Sequence, residues 1–154
     1  MPLVLSTLKN SLQTMFEDAE NGVEITPSDW VDAIVGYFGQ ATFPIAGGTQ
    51  LSTAEGTFLS TIQGAWGTET VGVALQSGLI AFQITIALDI SPTSGYPSIP
   101  PTVPPILVPA FAIGMAGGSS SAVATSLASI IHLSFITGVY QSGTSVSPVP
   151  TPWS

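Results

Sequence analysis

Seven prolines fall within residues 91 to 109, and this run contains no charged side chain. Proline fixes its own φ and lacks a backbone N–H, so neither a regular helix nor a central β-strand can pass through such a run. Its apolar side chains would be costly to leave in water, whereas a flexible linker would be rich in glycine, serine or charge. We therefore predict a semi-rigid extended crossover that packs on the helices or on another subunit.

On both sides of the proline run, apolar residues recur at the three- and four-residue spacing of α-helix faces. This spacing predicts a first helix over residues 4 to 20. A second helix is expected after Thr26, which can cap its N-terminus, because Pro27 suits the first helical position and Asp29 completes a capping box. Each of these helices would carry one apolar face.

Three further segments complete the predicted secondary structure. Ser52 and Glu55 have the spacing of another capping box, which predicts the start of a helix. A last helix is expected over residues 120 to 136. Between them, residues 70 to 88 are uncharged and have the character of a helix, but residues 82 to 90 mix β-branched side chains in near alternation, so a strand is the alternative there.

These elements predict a mainly α protein, a compact helical bundle of four to five helices with a Pro-rich extended crossover and a C-terminal extended arm or short edge strand. A chain of 154 residues suits one domain with a hydrophobic core. We expect a single helical domain over residues 1 to 142, which includes the crossover at 91 to 109. Residues 143 to 154 would form the arm, and residues 137 to 142 are a candidate edge strand.

Charged side chains make up only 6% of the chain, and Lys9 is its single base. Without a basic surface the chain cannot neutralise a phosphate backbone, so we expect no direct nucleic-acid binding. The absence of cysteine from the sequence removes disulfides and thiolate metal ligands. A monomer normally keeps a charged surface for solubility, so this composition predicts a surface covered by copies of the chain or by partner proteins.

His132 is the only side chain that ordinarily titrates near neutral pH, so a histidine-based enzyme would need it. The sequence contains no G-x-S-x-G motif, and we interpret His132 as a structural histidine bonded to backbone or hydroxyl groups. The acids of residues 17 to 24, around an Asn-Gly turn, do not match a calcium-binding loop and are interpreted as a solvated turn. We therefore predict a non-enzymatic protein without a cofactor or a metal.

Two uncharged segments, the proline run and the C-terminal residues, are predicted to lie across protein surfaces. Trp153 follows the stiff sequence SPVPTP, which predicts an aromatic anchor that docks into a neighbouring subunit, with a disordered tail as the alternative. The candidate subunit-contact residues are Tyr140, Val146, Val149, Trp153, Ile99, Val103 and Ile106.

Residues 70 to 90 and 122 to 139 support a second hypothesis, a small membrane-active protein of the lysis or pore-forming type, because each approaches the length of a membrane-spanning helix. Gln76 and Gln83 in the first segment and His132 in the second would cost free energy in lipid, and neither segment has flanking basic residues. Membrane insertion is therefore the less favoured hypothesis.

Three segments together resemble small structural proteins of tailed-phage virions. They are MPLVLSTLKNSLQTMFE, PSDWVDAIVGYFGQATF and LASIIHLSFITGVYQSGTSVSPVPTPW. The resemblance implies a subunit that assembles into a virion in the host cytoplasm, in the tail, baseplate or neck. Its partners would be copies of itself and other virion structural proteins. The resemblance assigns no functional residue.

Overall fold

A computed structural model describes residues 3–39, 47–94, 119–144 and 147–153. Within these residues the chain is mainly helical, which confirms the predicted bundle of four to five helices. The elements, in chain order, are α1 Leu5–Glu20, α2 Pro27–Phe38, α3 Gly47–Ala65, α4 Val71–Ser94, α5 Ser120–Ile136, β1 Val139–Thr144 and β2 Ser147–Pro152.

Two helices begin where the sequence predicts, and each has a side-chain cap. At α2, the Asp29 carboxylate accepts hydrogen bonds from the backbone N–H of Thr26 at 2.7 Å and from the Thr26 hydroxyl at 2.9 Å. At α5, the Ser119 hydroxyl accepts a hydrogen bond from the backbone N–H of Ala122 at 3.2 Å. These side chains satisfy backbone donors that would otherwise lack a partner at the start of a helix.

Two predicted boundaries are wrong. Helix α3 begins at Gly47, five residues before Ser52, because a capping-type serine that faces solvent is also tolerated inside a helix. Helix α4 continues to Ser94, so residues 91 to 94 of the predicted crossover are helical. Pro92 removes only one N–H from the helical hydrogen bonds, and the helix extends past it. The rest of the crossover lies outside the described residues.

The strand alternative for residues 82 to 90 is also wrong, because the whole segment lies within α4. Leu79, Phe82 and Ile86 share one side of this helix, and all three are fully buried. A strand would instead place Phe82 and Ile86 on one face together with the exposed Ile84. The burial gained by helical spacing therefore overrides the β-branched composition.

The core is centred on phenylalanines from four helices. The ring centroid of Phe38 on α2 lies 5.1 Å from that of Phe82 on α4 and 5.1 Å from that of Phe135 on α5. Phe58 on α3 packs on Phe82 at 5.5 Å. Around this centre, α3 packs along α4 and α1 along α5, while α2 contacts both α1 and α3.

A buried polar pair joins α4 to α5. The Gln83 side-chain amide, 1% exposed, donates to the Ser134 hydroxyl at 3.1 Å, and this hydroxyl donates to the Ile131 carbonyl at 2.7 Å. Among the described residues the Gln83 side-chain oxygen has no hydrogen-bond partner, which costs stability in a buried position. The pair forms in only one alignment of the two helices, so it disfavours sliding of one helix along the other.

β1 and β2 form an antiparallel hairpin in which Val139 lies opposite Pro152 and Thr144 opposite Ser147. The candidate strand after α5 is therefore present. The predicted boundary between residues 142 and 143 falls inside β1, because the chain turns back and pairs with itself instead of extending as a separate arm. The hairpin contacts α4 through β1.

β2 contains prolines at every second position, residues 148, 150 and 152. Alternate residues of a strand direct their N–H groups to the same edge, and proline has no N–H to donate. The prolines therefore mark the edge of β2 that faces away from β1, and residues 147, 149 and 151 direct their N–H groups toward β1. This alternation allows a segment with so many prolines to pair as a strand.

Gly78 lets α3 and α4 approach closely, since a Cβ atom there would lie 2.7 Å from both Ile62 Cγ1 and Phe58 Cδ2. Gly78→Ala should therefore lower the free energy of unfolding by about 1 to 3 kcal/mol. As a control, Gly56→Ala on the open side of α3 should raise it by about 0.5 to 1 kcal/mol. Urea unfolding measures both changes, and a stabilised Gly78→Ala protein would contradict the close packing of the two helices.

Candidate functional site

The structure describes the side chain of only one predicted subunit-contact residue, Trp153. Tyr140 and Val149 lie on β1 and β2, where they are opposite Thr151 and Ser142. The other four, Ile99, Val103, Ile106 and Val146, lie outside the described residues. Contacts of these six residues with another subunit stay a prediction.

Trp153 lies in the core of its own chain. Its side chain is 1% exposed, its ring centroid is 6.3 Å from that of Phe38, and its backbone N–H donates to the Gly138 carbonyl at 2.9 Å. The structure thus corrects the expectation that Trp153 reaches into a neighbouring subunit. The physical reason is the hairpin, which brings the end of the chain back to the end of α5.

Trp153→Ala should lower the free energy of unfolding by about 3 to 5 kcal/mol, because it leaves a cavity next to Phe38. Trp66→Ala serves as the matched control, since Trp66 is only half-buried and should cost clearly less. Thermal and urea unfolding of the two variants measures the difference. Equal stability of Trp153→Ala and the wild type would mean that Trp153 does not belong to this core.

The outer sides of α4 and α5 expose aliphatic side chains that sequence reasoning did not single out. Ile80 and Ile84 are 41% and 46% exposed, and Leu133 and Ile136 are 52% and 37% exposed. Spacings of three and four residues place each pair on one side of its helix. No Asp, Glu, Lys or Arg occurs in α4 up to residue 88 or anywhere in α5. We call these two sides, Ile80 with Ile84 and Leu133 with Ile136, the neutral faces.

His132 forms a hydrogen bond with Tyr37, whose hydroxyl lies 2.6 Å from His132 Nδ1. Their rings meet edge to face with centroids 5.9 Å apart. Burial raises the pKa of Tyr37 and lowers the pKa of His132. Near neutral pH the Tyr37 hydroxyl therefore stays protonated and donates the hydrogen bond to the unprotonated Nδ1 of His132. A buried tyrosine as the partner supports the interpretation of His132 as a structural residue that joins α5 to α2.

Lowering the pH through the titration range of His132 should destabilise the fold. Because burial lowers the pKa of His132 in the folded protein, the unfolded chain takes up the proton at a higher pH than the folded one. The contribution of neutral His132 to stability is therefore complete above its ordinary pKa of about 6.5 and is lost as the pH falls through the lowered folded value.

Denaturant unfolding of the wild type and of His132→Gln between about pH 5 and 7.5 measures this contribution. The difference between the unfolding free energies of the two proteins at each pH removes the contribution of the carboxylates, because both proteins contain the same ones. The wild type should lose more stability than the variant as the pH falls. The same pH dependence in both proteins would contradict the effect.

The acidic residues between positions 17 and 24 lie in different surroundings, one at the start of α5 and two at a groove between α1 and α2. Glu20 accepts a hydrogen bond from the Ser120 hydroxyl at 2.5 Å, which ties the end of α1 to the start of α5. Asp18 and Glu24 line a groove of about 320 Å³ between α1 and α2. The turn at Asn21 is exposed. Among the described residues, no three or more His, Cys, Asp or Glu side chains are grouped to hold a metal ion.

Comparison with protein-family models, curated proteins and solved structures found no match to this chain. The resemblance to small structural proteins of tailed-phage virions therefore stays a prediction. In the part of the chain that the structure describes, no helix is both long enough and apolar enough to cross a membrane. Function must be inferred from the chain's own surfaces and charges.

Proposed function

We propose that this chain is a non-enzymatic structural subunit that packs against copies of itself through its neutral faces. The observation that carries the proposal is the exposure of Ile80, Ile84, Leu133 and Ile136 on helical segments, residues 71–88 and 120–136, that contain no Asp, Glu, Lys or Arg. Aliphatic side chains that stay exposed on uncharged helical segments favour a surface that becomes covered by protein.

The distribution of charge favours the same surfaces. The chain has a formal net charge of −8, and six of its nine acidic residues fall between Glu17 and Asp32, so two copies repel each other wherever their acidic parts meet. Contact through residues 71–88 of α4 and through α5 brings together segments without charge. Covering each half-exposed aliphatic side chain there would add about 1 kcal/mol.

The setting of this assembly is part of the proposal. The resemblance to virion structural proteins supports a tail, baseplate or neck, where other virion proteins would be further partners. The bond between His132 and Tyr37 supports a non-enzymatic role, because it engages one nitrogen of the chain's only histidine in a contact between helices. Tail or capsid genes next to the gene for this chain would support the virion setting, and a neighbourhood of unrelated genes would count against it.

A lysine on a neutral face should prevent self-association. Leu133→Lys and Ile84→Lys place an ammonium group where two copies meet, and an unpaired charge is costly in an apolar interface. Gln63→Lys is the matched control, because it adds the same charge at an exposed position of α3 that lies outside the neutral faces. Light scattering and sedimentation at rising protein concentration should show oligomers of the wild type and of Gln63→Lys, and a larger monomer fraction for the other two variants.

A wild-type chain that stays monomeric at high concentration would contradict self-assembly. Oligomers that persist in both Leu133→Lys and Ile84→Lys would show that the chain assembles through a different surface. Circular dichroism and urea unfolding of each variant provide the control for folding. Both substituted positions are exposed, so the variants should fold as the wild type does.

A further inference from the structure

The groove between α1 and α2 has an apolar floor that opens to solvent. Met15 and Ala33 form its buried part, and Ile25 is half-buried beside them. Val23 stands at the same groove and is 58% exposed. The lining residues of α1 run from Ser11 to Asp18, a length of about 10 Å along the helix. With a volume of about 320 Å³, the groove has room for a few side chains of a bound segment.

Carboxylates surround this apolar floor. Asp18, Glu24, Asp29 and Asp32 all line the groove. All four acids are exposed, and the Asp29 carboxylate already accepts two hydrogen bonds from Thr26. Three carboxylates around an open apolar groove favour an occupant that combines apolar side chains with positive charge.

A second copy of the chain cannot supply that charge, because the sequence has one lysine and no arginine. The copy's own acids would be repelled, and nucleic acid would be repelled in the same way. A bare cation would leave the apolar floor and Val23 exposed to water. The groove is therefore complementary to a segment of a different protein.

We propose that this groove binds a segment of another protein in which lysine or arginine residues flank apolar ones. The apolar side chains would cover Met15, Val23 and Ile25, and the basic groups would lie beside Asp18, Glu24 and Asp32. The groove lies on α1 and α2, and the neutral faces lie on α4 and α5, so this inference does not depend on self-assembly. It adds a surface for an unlike partner to the surfaces proposed for like copies.

The test uses the full-length chain and three probes: a short amphipathic peptide of leucine and lysine, the same peptide with glutamine at every lysine, and spermidine. Calorimetry measures affinity, and NMR chemical shifts of the backbone amides locate the bound probe. The lysine peptide should bind at least about tenfold more tightly than the glutamine peptide at low salt. Its largest shifts should fall on residues 11 to 18 and 23 to 33.

Matched variants separate the groove from the overall charge. Asp18→Asn combined with Asp32→Asn should weaken binding of the lysine peptide about 3- to 10-fold. Glu55→Gln combined with Glu69→Gln removes the same charge outside the groove and should change the affinity less than about twofold. Asp29 is left unchanged because it caps α2. Val23→Ser should weaken binding through loss of apolar contact, and Leu133→Lys should bind the peptide as the wild type does.

Four results with the peptides would overturn the inference. These are no binding of the lysine peptide, equal affinity for the lysine and glutamine peptides, equal weakening by the two double variants, and shifts centred away from the groove. Spermidine that binds the same residues as tightly as the peptide would also overturn it, in favour of a small polycation. Because Leu133→Lys tests the neutral face and the double variants test the groove, failure of one proposal is distinguishable from failure of the other.

Discussion

The packing around Phe38 holds the elements of this fold together. Phe38 ends α2, and its buried ring contacts Phe82 of α4, Phe135 of α5 and Trp153 after the hairpin. Aromatic side chains bury much surface each and have preferred pair geometries, so one such centre fixes several elements at once. With the inner sides of α4 and α5 held there, their opposite sides face outward as the neutral faces. A separate aromatic contact, between Phe16 of α1 and Trp30 of α2 with ring centroids 5.7 Å apart, holds α2 beside α1, where the groove forms.

Local signals in the sequence predicted much of this fold. The start of α2 follows from the side chains of Thr26 and Asp29, which bond to each other within one turn and need no other part of the chain. The hydrogen bond from the Ala122 N–H to the Ser119 hydroxyl at the start of α5 likewise joins residues within one turn. The strand alternative at 82 to 90 could be rejected only by tertiary packing, because composition alone does not show that Leu79, Phe82 and Ile86 meet a common core. Burial of Trp153 depended in turn on a hairpin that returns the chain to α2.

The candidate surfaces were less accessible from the sequence, for two physical reasons. Helices α4 and α5 carry apolar side chains on several sides, so the spacing that predicts each helix does not show which of its apolar residues face outward. The exposure of Ile84 and Leu133 depends on where the core lies. The groove combines Asp18 of α1 with Asp32 of α2, and their proximity depends on how two helices cross. The sequence did show that the acidic residues are concentrated near the start of the chain and that long later segments are uncharged. This separation makes the groove acidic and the neutral faces uncharged.

The alternating prolines of β2 also limit how copies of this chain can grow into larger structures. Along the outer edge of β2, residues 148, 150 and 152 offer carbonyl acceptors but have no N–H donors, so a strand from another molecule cannot complete a ladder there. The protection comes from the proline residues themselves and does not require another segment to cover the edge. Even where many copies are crowded together, it stays closed to the edge-to-edge pairing that converts folded proteins into amyloid-like fibres.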